Sequence, residues 1–206
     1  MNEDEYNECI NELHRDLCSY KPQPLELREY LRLNMSRREF TERDFASRRN
    51  RTVKEALYVG RGYAAIYGSI ADKDNQVLGI AKKGTIMAGF SFTSQEPSLY
   101  DLVGLQGSLL LGISAEHMGI IYDKFPSTQD LSRLIMAAVN RKELERVRLL
   151  RRDADLVVLD FYKESPEFLP PGGLMTDADI ASYLLISEST LRNVRAKLIK
   201  DGRLQF

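Results

Sequence analysis

Between Ser187 and Lys200 the chain places Ser187, Ser189, Thr190, Arg192, Asn193, Arg195 and Lys197 on one helical stretch. Leu191, Val194, Leu198 and Ile199 interleave them at three- and four-residue spacings, which turns the opposite face into a core. The polar types are those that read nucleic acid. A guanidinium can hydrogen-bond the guanine edge and a carboxamide the adenine edge, while hydroxyls bond bases or phosphates. Ser187, Glu188, Ser189, Arg192, Asn193 and Arg195 are the expected exposed set. Glu188 opposes phosphate, so the reading end is mixed in charge.

The elements that must hold these residues are legible just upstream. Thr176-Asp177-Ala178-Asp179 has the form of a capping box, with Thr176 accepting from the N–H three residues on and Asp179 reaching back. A brief helix from Asp177 to Leu184 would turn Ile180, Ala181 and Leu184 inward. Leu185-Ile186 makes a tight corner, and Ser187 caps the second helix. Two helices crossing steeply need a small residue at the crossing, and Ala181 supplies it. The pair is a helix-turn-helix, which offers the first turns of its second helix to a major groove. The corner backbone favours positive φ, so Leu185 there costs roughly 1 kcal/mol. The alternative is a helical hairpin used only for packing.

Glu3 to Ser19 reads as an amphipathic helix on Tyr6, Cys9, Ile10, Leu13 and Leu17, stopped by Lys21-Pro22-Gln23-Pro24. Leu25 to Leu33 reads as a second helix contacting through Leu25, Leu27, Tyr30 and Leu31. From Ser36 to Ile121 short apolar runs alternate with turns: Ala56–Tyr67, Asp72–Asn75, Gln76–Ala81, Lys82–Gly84, Thr85–Phe92 and Leu102–Ile113. That texture predicts an antiparallel sandwich or barrel. Ser114 caps a short helix. A long helical pattern from Asp130 to Glu164 carries Leu131, Leu134, Ile135, Ala138 and Val139 as an apolar stripe, extended by Leu144, Val147, Leu150, Ala154 and Val158. Its surplus apolar face suits pairing with a second copy; packing on its own domain is the alternative. Ser165-Pro166 and Pro170–Gly173 mark a break. The expected domains are 1–128 (N-terminal helices and barrel), 129–164 (dimerisation helix) and 165–206 (helix-turn-helix).

Composition narrows the function classes. Of 206 residues 43% are hydrophobic and 29% charged, which excludes wholesale disorder. No apolar run approaches the roughly 20 residues of a membrane helix, and the acidic start lacks a signal peptide, so a cytoplasmic protein is expected. Net charge is −1, but Arg32–Lys54 and Arg141–Arg152 are basic runs. Each is a solvated face or a contact for nucleic acid, polymerase or another acidic partner. Cys9 and Cys18 are too few for a zinc or iron–sulfur site, and His14 and His117 lack a catalytic partner. With no nucleophile–base pair, phosphate loop or metal cluster, neither an enzyme nor a cofactor is expected.

The order of parts resembles the catabolite-activator (CRP/FNR) family of bacterial regulators from about Arg37 to Phe206. Leu57–Tyr67 looks like that family's strand–Lys-Gly–strand element, Gly79–Ile86 like the strand into its glycine turn, and Asp179–Leu184 with Ser187–Arg192 like its helix-turn-helix. The resemblance implies an α+β chain: a β-barrel or jelly roll of cyclic-nucleotide-binding type, a long dimerisation helix and a C-terminal, partly winged helix-turn-helix. It implies a homodimer on a palindromic operator of double-stranded DNA, RNA polymerase as a partner, and an effector in the barrel. Cyclic AMP does not fit the matching stretch. Gly89 is followed by Phe90 where the family has Glu, and Leu99 stands where it has Arg. Phe90, Phe92, Leu99 and Tyr100 beside Gly89 imply either an apolar pocket for an unidentified effector or simple core filling. The family's iron–sulfur and haem variants are not matched, and Arg203–Phe206 offers at most the first strand of a wing. The other reading open is a ligand- or protein-binding barrel whose helix-turn-helix serves assembly.

Overall fold

A computed structural model describes residues 2–70, 73–170 and 173–205. Asn2 and Glu5 form a capping box that starts α1 (Glu3–Tyr20), whose Tyr6, Ile10, Leu13 and Leu17 are buried at helical spacing. In α2 (Leu25–Asn34) Leu27 and Leu31 are buried. Leu25, expected as a contact, is exposed; it lies roughly 200° around the helix from Leu27.

Among the described residues eight strands follow: β1 (Ser36–Phe40), β2 (Asp44–Ser47), β3 (Glu55–Arg61), β4 (Tyr63–Ile70), β5 (Lys73–Lys82), β6 (Ile86–Met87), β7 (Asp101–Gly104) and β8 (Ser108–Ser114). They form two four-stranded sheets, ordered β1-β8-β3-β6 and β2-β7-β4-β5. The sheets face one another as a jelly-roll-like sandwich and do not close into a barrel. Phe40, Val59, Ala64, Ala81 and Leu110 form the core between them. The outer face of the first sheet is covered as well. Tyr58, Leu109, Leu111 and Ile113 pack against Tyr6, Ile10, Leu13, Leu27 and Leu31 of the helices. Leu109 to Ile113 is therefore a continuous apolar run because alternate residues enter two different cores. The β3–β4 turn needs Gly62: φ is +71°, and a Cβ there would meet Ser108 Oγ at 2.5 Å.

The expected strand Thr85–Phe92 is shorter than read. β6 stops at Met87 and α3 (Phe90–Ser94) begins at Gly89. Thr93 Oγ1 donates to the carbonyls of Gly89 and Phe90, a local bonding pattern that competes with strand pairing. Of the expected turn Asp72–Asn75, Asp72 lies outside the described residues and Asn75 sits in β5 at φ +59°.

Ser114 caps α4 (Ala115–Lys124) by accepting from His117 N–H at 3.2 Å. The single helix expected from Asp130 to Glu164 is two helices, α5 (Ser127–Leu149) and α6 (Ala154–Glu164). The last N–H groups, of Arg151 and Arg152, tighten to the carbonyls of Arg148 and Leu149, and extended Asp153 starts the next helix. The break lets α6 bury Val157, Val158, Leu159 and Tyr162 in a new core.

By contact the chain divides into two units: Met1–Gly68 with Ile80–Val139, and Ser69–Gly79 with Asn140–Phe206. The second unit contains α6, a 3-10 turn (Pro166–Phe168), α7 (Asp177–Leu184) and α8 (Glu188–Lys200). Its buried centre includes Tyr162, Phe168, Ile180, Leu184, Leu191 and Leu198. The stretch read as a break thus carries a core residue, Phe168; Pro171 and Gly172 lie outside the described residues. Among the described residues no helix is long and apolar enough to cross a membrane.

Candidate nucleic-acid interface

Two caps and one corner set the position of α8. Thr176 Oγ1 accepts from Asp179 N–H at 3.1 Å and Asp179 reaches back to Thr176, completing the expected capping box. Ser187 Oγ accepts from Thr190 N–H at 3.0 Å and starts α8. Between them Leu185 is left-handed, at φ 55° and ψ 38°, and its side chain is 68% exposed. Its N–H donates to Ser182 O at 3.2 Å and that of Ile186 to Ala181 O at 3.0 Å, which satisfies the end of α7. The Leu185 side chain packs on little and strains its backbone. Leu185→Gly should therefore raise the urea midpoint of this unit, by at most about 1 kcal/mol of stability. A loss would show that the side chain contributes more than its exposure suggests.

Ala181 is buried where the helices meet, with Ile180, Leu184, Leu191 and Val194 around it. The outward side of α8 carries exposed Ser189, Arg192, Asn193 and Lys197. Arg192 is 58% exposed and pairs with Glu188 at 2.8 Å, one turn back. The Ser187 hydroxyl shares hydrogen bonds with those of Ser189 and Thr190, each at 2.8 Å. Lys197 Nζ reaches Asp155 of α6 at 2.5 Å.

Arg195 is not where the sequence placed it. Its side chain is only 11% exposed and forms a bidentate pair with Asp177, at 2.6 and 2.9 Å. It also donates to Tyr162 Oη at 2.9 Å. It is a strut joining α6, α7 and α8. The hydrogen bonds from Arg195 hold the Asp177 carboxyl below the usual carboxylate range, and burial pushes the Tyr162 hydroxyl up. Asp177 and Tyr162 were missed as partners because no spacing rule links positions in three different helices. Ser182 Oγ meets the Val77 N–H at 3.0 Å within this unit, another contact without a local signal.

No family profile matches the sequence, and no curated protein is similar to it. Solved structures are. FixK2 from Bradyrhizobium japonicum has a TM-score of 0.67 at 17% identity, covering 84% of this chain and 88% of that one. CLP of Xanthomonas campestris, described as a c-di-GMP-responsive global regulator, has 0.64 at 17% identity, covering 89% and 95%. The catabolite activator protein of Thermus thermophilus has 0.51 at 14%, covering 90% and 88%. The chain has the CRP/FNR fold.

Within this CRP/FNR fold the expected effector residues fall in different environments. Phe92 is buried in the core under α1 and α2, while Phe90 and Leu99 are 72% and 73% exposed and Tyr100 is exposed as well. Gly89 caps α3, with open space where a Cβ would stand. The stripe on α5 also divides. Leu131 is buried in the first unit's own core and Ile135 packs against it. Ala138 is half-buried, and Leu134 and Val139 are exposed. No wing strand forms among the described residues. Leu204 folds back instead, its N–H donating to Leu198 O at 3.2 Å, and Phe206 lies outside them.

Proposed function

We propose that this chain is a homodimeric, cytoplasmic transcription regulator that reads palindromic DNA with α8, is not an enzyme and does not respond to cyclic AMP. One observation carries the reading: a doubly capped helix pair presents Ser189, Arg192 and Asn193 outward from the first two turns of α8. Those turns are the ones that reach base edges in a helix-turn-helix. Solved structures of the same fold include proteins described as a global regulator and an activator. RNA polymerase is the partner through which bound DNA would be regulated. The test is to select fragments from genomic DNA with the full chain and measure affinity against salt. Enrichment of palindromic sites is expected; no enrichment would favour the assembly reading, in which α8 only packs.

The dimer reading rests on α5, which leaves Leu134, Met136, Val139, Leu144 and Val147 exposed. Isolated apolar residues are ordinary on a surface, but a run of them along one helix suits a second copy. Leu134→Glu with Val139→Glu should halve the mass in light scattering and leave the circular dichroism unchanged. A dimeric variant would move the interface elsewhere. Leu131 is not part of that surface.

For cyclic AMP, whose phosphodiester and ribose need a guanidinium and a carboxylate, the stretch 89–100 contains no arginine, and its one carboxylate, Glu96, is exposed and does not follow Gly89. Calorimetry with cyclic AMP should show no saturable heat, and micromolar binding would overturn this part of the reading.

A further inference from the structure

The basic run Arg32–Lys54 is only partly spent on ion pairs. Arg32 pairs with Glu29, Arg37 with Glu3 and Arg49 with Asp101. Four further cations, Arg38, Arg48, Arg51 and Lys54, line a single cleft of about 470 Å³. It lies between the sheets, where β2 of one faces β1, β3 and β8 of the other. Its apolar floor is Leu57 and Leu110, which belong to the inter-sheet core. Elsewhere that core closes on apolar side chains; here it opens to a rim of positive charge.

The four cations differ in what they do. Arg38 crosses from β1 to donate to Ala46 O of β2 at 2.8 Å, which braces the mouth. Arg48 Cζ lies 3.8 Å from the Phe45 ring centroid, a cation–π contact at the rim. Arg48, Arg51 and Lys54 form no ion pair among the described residues. The one carboxylate of the lining, Glu55, accepts from the Ser36 hydroxyl at 2.6 Å and offsets one charge at most. Like charges gathered at one mouth repel unless an anion joins them. The volume lies in the range of roughly 300–1,000 Å³ usual for small-molecule sites.

We propose that this cleft binds a small organic anion. Its phosphate or carboxylate is held by Arg48, Arg51 and Lys54, and its apolar body rests on Leu57 and Leu110. Guanidinium forks match either acid group bidentately. The lining shares no residue with the stretch 89–100, where the resemblance places its phosphate cassette. The proposal does not depend on the DNA-binding reading, and its test uses no DNA.

The full chain is titrated with phenyl phosphate, then benzoate, then phenol at fixed ionic strength, following backbone amide shifts. Saturable shifts are expected at residues 36–57 and 110–114. Phenol, which keeps the ring and lacks the charge, should bind at least roughly tenfold more weakly than the better acid. Whichever acid binds tighter assigns the head group. Arg51→Glu with Lys54→Glu should weaken binding by roughly tenfold or more, with the thermal melt unchanged because both residues are exposed. If that pair alters the melt, Lys54→Met alone should still weaken binding severalfold. Shifts confined to other surfaces, equal affinity for phenol, or undiminished affinity in a folded variant would each overturn the proposal.

Discussion

Replacing Arg192 and Asn193 together by alanine should lower affinity for a selected operator by roughly 100-fold or more, since each good bidentate base contact is worth about 1–3 kcal/mol. Affinity for random DNA should fall much less, because base contacts carry specificity while phosphates carry the common term. The two residues sit one step apart on exposed α8, and neither enters the core, so the variant should melt as the parent does. Glu188 supplies a second arm. It pairs with Arg192 at 2.8 Å in the free protein, so the guanidinium must leave it to reach a base. Glu188→Gln removes both that competitor and a charge facing phosphate, and affinity for any DNA should rise. Anisotropy titrations of parent and variants on operator and scrambled duplexes read all of this. Equal losses on both duplexes would assign Arg192 to the backbone and not to a base. No loss on either would remove α8 from the interface.

The helix pair was legible because every signal in it is local. Thr176, Asp179 and Ser187 cap through bonds spanning three residues, and Ile180, Ala181, Leu191 and Val194 mark an inward face by period alone. Even the strained corner at Leu185 followed from the tight space between two helices. Local signals could not show where Arg195 goes. An arginine on a helix flank reads as exposed until a carboxylate from another helix reaches it, and Asp177 does. The same limit explains α5 and α6. The apolar stripe continues through Leu150 and Ala154, so periodicity sees one helix, while tertiary packing of Val157, Val158 and Tyr162 ends it at Leu149. The sandwich was legible as strands and turns. Its polar cleft was not, because Arg38, Glu55 and Leu110 come together only by sheet pairing of β1, β3 and β8.

Asp177→Ala should destabilise the helix-turn-helix through Arg195. The guanidinium would remain 11% exposed without its counter-charge, since Tyr162 Oη offers only a neutral acceptor. Breaking a fully buried pair costs roughly 3–5 kcal/mol; Asp177 is 28% exposed, so about 2–3 kcal/mol is expected. Tyr162→Phe removes one acceptor and should cost about 1 kcal/mol. Asp177→Leu combined with Arg195→Met should recover most of the loss, because the costly species is the unpaired ion and not the missing pair. The pair also has a pH signature. Asp177 is held below its ordinary value when folded, whereas the unfolded carboxyl titrates near about 3.9. Its contribution is therefore fully present above that pH and is lost as pH falls through the lower folded value. The parent should lose protection of α8 amides on acidification below about pH 4 more steeply than Asp177→Asn does. Hydrogen exchange at Leu191 and Leu198, both buried on α8, reads this unit directly. Parallel curves for parent and Asp177→Asn would mean that Arg195 is neutralised by solvent, and α8 would then be held by its apolar face alone.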